Sequence, residues 1–89
     1  MNIQQVTENK RTYMDILLLA DPQEDMIERY LDQSDLFVLS EEGVIKTVCV
    51  VQMLKDRKCE IKNIATVAGE QGKGYGRNMI HYVCEHYSD

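Results

Sequence analysis

The chain has 89 residues, 44% of them hydrophobic and 28% charged, with a formal net charge of −5. That length bounds it to one small domain with a marginal core, one that buries only about 60–65% of its unfolded surface. Its composition is that of an ordinary soluble globular protein, and its acidic balance argues against nucleic acid as a general partner. The longest apolar runs, residues 16–20 and 48–51, are far too short to span a bilayer, so no membrane partner is expected. Three widely spaced cysteines (Cys49, Cys59 and Cys84) and the lack of a signal peptide fit a reducing cytoplasm without disulfides.

Residues 2–7 alternate in polarity and predict a short edge strand. Residues 11–20, with the run Tyr13-Met14-Asp15-Ile16-Leu17-Leu18-Leu19, predict a helix. Asp21-Pro22 punctuates it: Asp21 suits an N-cap, Pro22 the first helical position, and Glu24 completes an approximate capping box. The second helix should run to about residue 32 and bury Met26, Ile27, Tyr30 and Leu31. Residues 35–40 read as a strand, Glu41-Glu42-Gly43 as a hairpin turn, and residues 44–53 as a long β-branched strand. A polar turn at 55–58, a strand at 59–67 and an amphipathic helix at 75–87 complete the order β-α-α-β-β-β-α. This is an α+β pattern with antiparallel hairpins among strands two to four, and Cys49 and Cys59 read as small strand hydrophobes within it.

The last strand and helix are joined by Gln71-Gly72-Lys73-Gly74-Tyr75-Gly76-Arg77. A glycine-rich turn entering a helix exposes unpaired backbone N–H groups at the positive end of the helix dipole, which favours phosphate. A P-loop is excluded, because Gly69 to Gly72 is too short a spacing and no hydroxyl stands where magnesium needs one. A dinucleotide fingerprint fails as well, since Arg77 replaces the third glycine and the required downstream acidic residue has no room before the chain ends.

The pattern [RQ]-x-x-G-x-[GA] is met at every fixed position by residues 71–76. Here the chain resembles the GNAT superfamily of acyl-CoA-dependent N-acetyltransferases. The flanks agree: Glu60-Ile61-Lys62-Asn63-Ile64-Ala65 is similar to that family's fourth strand, and Gly76-Arg77-Asn78-Met79-Ile80 to the start of its cofactor helix. The resemblance implies a GNAT-like α+β domain of the three-layer type, with a mixed, mainly antiparallel sheet that lacks the usual C-terminal strands. It also implies acetyl-CoA as cosubstrate, with Gln71, Gly72, Lys73, Gly74, Tyr75, Gly76 and Arg77 around the pyrophosphate. The backbone N–H groups of Ile64, Ala65 and Thr66 would hold the acetyl and pantetheine arm. Glu60 is the candidate general base, against its reading as a solvated carboxylate or a partner for a lysine.

The family's usual general acid, a tyrosine in a helix beyond the fifth strand, has no counterpart here, and Tyr87 reads as half-buried packing instead. His81 and Cys84 stand at i, i+3 on one helix without an evident third ligand, so no metal is expected. Residues 1–89 thus form one truncated N-acetyltransferase-like domain, either a fragment or a short natural form completed by a partner. An open edge on the 59–67 strand and a partly uncovered stripe (Met79, Ile80, Val83, Tyr87) then predict a homo-oligomer. The expected activity is acetyl transfer from acetyl-CoA to a primary amine whose identity stays open. Two alternatives are a CoA-binding module without turnover and a small interaction domain whose glycine turn is purely structural.

Overall fold

Residues 36–39 and 48–51 are apolar at every position, the pattern of strands covered on both faces. In the computed structural model, which describes residues 1–88, they form the middle of a four-stranded sheet. Its strands are β1 (Asn2–Val6), β2 (Asp35–Glu41), β3 (Val44–Met53) and β4 (Cys59–Thr66), in spatial order β1-β2-β3-β4. All three pairings are antiparallel. Two-residue tips close the hairpins: Glu42 and Gly43 both hold positive φ, as do Asp56 and Arg57, which matches the twist of the flanking strands.

Side chains alternate across the sheet and so feed two separate cores. Leu36, Val38, Val48, Val50 and Ala65 pack against Met14, Leu17, Ile27 and Leu31 on one face. Phe37, Leu39, Cys49 and Val51 pack against Met79 and Val83 on the other. The first face is covered by a 3₁₀ turn (Lys10–Tyr13), α1 (Met14–Leu17) and α2 (Glu24–Leu31), and the second by α3 (Tyr75–His86). This is the expected three-layer α+β arrangement. No helix among the described residues is long and apolar enough to cross a membrane.

Three local expectations are corrected. The helix expected at 11–20 is only a 3₁₀ turn followed by four α-helical residues. Residues 16–19 are apolar all round, and a continuous helix cannot turn every one of them to the sheet. Leu17 is fully buried while Leu19 stays 56% exposed. Secondly, Asp21 does not cap α2: Gln23 is the N-cap, in an extended conformation, and has no side-chain bond. Asp21 instead accepts a hydrogen bond from the Gln23 N–H at 3.1 Å, an Asx turn around Pro22 that delays the helix. Of the four residues expected to be buried on α2, Ile27 and Leu31 are, Tyr30 is half-buried and Met26 is exposed. Thirdly, Cys49 is buried but Cys59 is exposed. Burial pushes the Cys49 thiol up to about 12.

Side chains tie the layers together. The Lys10 ammonium donates to the carbonyls of Leu31 and Ser34, satisfying the negative end of α2. The Tyr87 hydroxyl donates to the Asp35 carboxylate, fastening the end of α3 to the start of β2. Met79 and Val83 of the apolar stripe on α3 lie under the sheet, Tyr87 is half-buried, and Ile80 is 42% exposed.

Candidate functional site

Strand β4 leaves the sheet at Thr66, and its last tie is the Val67 N–H bonded to the Lys46 carbonyl at 2.8 Å. The chain then makes a tight turn, with Glu70 N–H bonded to Val67 O at 3.0 Å, and reaches α3 through glycines 69, 72 and 74, all at positive φ. Gly74 is the N-cap of α3 at φ 89° and ψ 3°, a left-handed conformation that glycine adopts without steric penalty. The first helical bond runs from Asn78 N–H to Gly74 O at 3.0 Å.

The N–H groups of Tyr75, Gly76 and Arg77 therefore lie in the first turn, where no intrahelical acceptor exists. No side chain caps this end, and its first turn holds no acidic residue. Arg77 is exposed and makes no ion pair among the described residues. A cation there opposes the helix dipole and weakens the bare helix. A Cβ built on Gly72 or Gly74 meets no protein atom within 4 Å, so the space before the loop is open. Free amides, the positive end of a helix and two nearby cations (Lys73 and Arg77) make a donor set suited to a polyanion.

Ile64, Ala65 and Thr66 run directly into this loop along β4. Ala65 is buried toward α1 and α2, while Ile64 packs with the α3 layer. Thr66 shares a 2.9 Å hydrogen bond with the buried Thr47 hydroxyl, and Gly76 faces its Oγ1. Because β4 pairs only with β3 among the described residues, its outer backbone edge is open beside all three. The strand and the loop residues thus form one continuous track.

Glu60 lies apart from that track. It pairs in register with Gln52, is exposed, and its carboxylate meets the Lys62 ammonium at 3.1 Å. It stands four steps along the strand from Ile64, roughly 13 Å of extended chain. A bulge at Lys62 interrupts that stretch, since Val50 pairs with Asn63 but Val51 with Ile61.

Several polar residues around the site escaped sequence reasoning. A second bulge inserts Lys46 between Ile45, opposite Ser40, and Thr47, opposite Leu39. The Lys46 ammonium lies 2.8 Å from Glu70 Oε1 and 5.9 Å from the centre of the Tyr75 ring. Glu70 Oε2 also meets the Lys73 ammonium at 2.9 Å. Hydrogen bonding to Lys46, then to Lys73, holds the Glu70 carboxyl below its ordinary range, and the same bond to Glu70 raises Lys46. The Tyr75 hydroxyl donates to Glu41 at 3.0 Å, which raises the phenol.

On the other face of β4, the buried Asn63 amide donates to the Leu17 carbonyl and the Tyr30 hydroxyl, both at 3.1 Å. Its Oδ1 has no partner among the described residues. A lysine breaking an apolar strand was the one sequence signal for Lys46; nothing local pointed to Glu70 or Asn63. His81 and Cys84 are exposed, and no group of three metal-ligating side chains occurs among the described residues.

No protein-family model matches the sequence. Among curated proteins, the uncharacterized N-acetyltransferase YvbK of Bacillus subtilis (strain 168) is 32% identical over 66 residues, 74% of this chain and 43% of that protein. An IAA acetyltransferase from Bacillus cereus ATCC 14579 superposes with a TM-score of 0.87 at 30% identity, over 97% of this chain and 57% of that one. A GNAT family acetyltransferase from Elizabethkingia anophelis with acetyl-CoA bound gives a TM-score of 0.86 at 30% identity, over 96% and 56% respectively. The chain belongs to the GNAT superfamily. It is a partial GNAT domain, spanning about half the length of the relatives it matches. Within this GNAT domain, residues 64–66 and 71–77 supply the open edge and the amide-lined turn described above.

Proposed function

We propose that this GNAT domain binds acetyl-CoA, with the pyrophosphate over residues 71–77 and the acetyl-pantetheine arm along Ile64, Ala65 and Thr66, for transfer of the acetyl group to a primary amine. The observation that carries this reading is the uncapped N-terminus of α3, preceded by Gly74 in a left-handed conformation and flanked by Lys73 and Arg77. The acetyl-CoA held by the relative from Elizabethkingia anophelis supports it.

Acetyl-CoA supplies the acetyl group as a reactive thioester. Transfer breaks its C–S bond, forms a C–N bond, takes one proton from the amine and delivers one to the departing thiolate. Backbone N–H groups of β4 would stabilise the developing oxyanion. Glu60 would accept the amine proton through water, given its exposure and its distance along the strand. The open edge of β4 would pair with a second copy of the chain, and the free cysteines suit a cytoplasmic setting.

Thermal-shift titration with acetyl-CoA, using AMP as control, tests the binding step. Mass action stabilises the fold by about 2.7 kcal/mol at a hundredfold excess over Kd. A folded sample that shows no shift leaves the glycine turn as a turn only. For the chemistry, Glu60→Gln should slow release of the CoA thiol by about 10²-fold or more with amines as acceptors; an unchanged rate removes Glu60 from the base role. A sharp monomer in sedimentation at high concentration would rule out pairing through the β4 edge.

A further inference from the structure

The loop that carries the anion-binding amides has little of its own to keep its shape. Three glycines at positive φ in the space of residues 69–74 give it wide freedom in the absence of ties. Besides the turn bond from Glu70 N–H to Val67 O, the Lys73–Glu70 pair and the Tyr75–Glu41 bond, three of its ties converge on one residue. The Lys46 carbonyl receives the Val67 N–H where the loop begins, and the Lys46 ammonium reaches Glu70 in the middle of the loop at 2.8 Å. The same ammonium lies over the Tyr75 ring where the helix starts. The bulge in β3 makes this reach possible, because it adds one residue at the level where β4 leaves the sheet.

We propose that Lys46 and Glu70 are positioning residues for acetyl-CoA, a pair that clamps residues 67–75 in their anion-binding shape before the ligand arrives. The inference rests on the reading of residues 71–77 as the pyrophosphate site. The two contacts of Glu70 differ in kind. The Lys46 and Glu70 side chains are 16% and 20% exposed, so their pair is shielded from water, whereas Lys73 is 56% exposed. An exposed pair is easily exchanged for another partner. Lys73 is therefore free to turn from Glu70 to an arriving phosphate, while Lys46 keeps Glu70, and the loop, in place. Lys46 also neutralises a carboxylate that would otherwise repel the anion beside it.

These roles set an order of affinities in a calorimetric titration of the chain with acetyl-CoA. Glu70→Gln, which loosens the loop, should weaken binding about tenfold, as expected when preorganisation is lost. Lys46→Met should weaken it further, because it also strands a negative charge at the site. Adding Glu70→Gln to Lys46→Met should recover affinity to the level of Glu70→Gln alone, and Lys46→Arg should bind close to the wild type. Amide exchange of residues 69–74 in the free protein should be faster in Glu70→Gln than in the wild type, a change that a pair serving global stability alone would not confine to the loop. Glu70→Gln and Lys46→Met chains that stay folded and bind within twofold of the wild type overturn the proposal, as does a Glu70→Gln chain that binds more tightly. A wild-type chain that takes up no acetyl-CoA refutes the pyrophosphate reading itself, and the positioning role falls with it.

Discussion

Replacing Gly74 by alanine separates the structural use of the loop from its use as a ligand site. Gly74 holds φ 89° and ψ 3°, and a Cβ there meets no protein atom within 4 Å. The cost to the free protein is therefore conformational rather than steric. Left-handed backbone costs an L-residue about 1–2 kcal/mol, and the reduced freedom of the unfolded chain returns about 0.4–1 kcal/mol. The net loss is about 1 kcal/mol, which lowers Tm by about 4–8 °C in a domain of this size. Gly43→Ala is the matched control: its φ is 79°, its Cβ position is equally open, and it lies in the β2–β3 hairpin outside the loop. Both variants should lose the same Tm in differential scanning. Only Gly74→Ala places a methyl group in the space before the amides of α3, so acetyl-CoA affinity should fall about tenfold or more there, or at least 1.4 kcal/mol, and stay unchanged in Gly43→Ala. Equal affinities in the two variants would refute the ligand reading of the loop, and an unshifted Tm would refute the conformational one.

Arg77→Glu should act in opposite directions on fold and ligand. It removes a cation from the positive end of α3 and should raise the Tm of the free protein, by about 0.3–1 kcal/mol of stability, while weakening acetyl-CoA about tenfold; changes of the same sign would argue against an anion site. A thiol reagent at mildly alkaline pH should label Cys59 and Cys84 in the native chain and reach Cys49 only after denaturation, because Cys49 is buried and its thiol is pushed up to about 12. Tyr87→Phe loses the bond to Asp35 and should cost about 1–2 kcal/mol in denaturant titrations. Burial, reinforced by Asp35, raises the Tyr87 phenol above its unfolded value. Its contribution is thus complete below the ordinary tyrosine range and lost as pH rises through the folded value, so the alkaline limb of stability should be flatter in Tyr87→Phe.

Features governed by neighbours along the chain are legible in the amino-acid sequence by itself. Continuous apolar runs at 36–39 and 48–51 determined two strands buried on both faces, and the polar stretches at 41–43 and 55–58 determined their turns. The glycine spacing at 71–76 announced the turn into α3, because φ preference and dipole direction are local properties. Tertiary structure alone decided the rest. The helix at 11–20 was cut short by what the sheet could cover, and Asp21 made an Asx turn with Gln23 where a cap was expected. Cys49 and Cys59, both in strands, parted because one faces α3 at the sheet centre and the other stands at the start of the edge strand. Lys46 and Glu70, 24 positions apart, met only because a bulge and a hairpin placed them side by side. Propensity acts over a few residues, whereas burial and ion pairing depend on which distant segments share a surface, and that is settled only when the layers close.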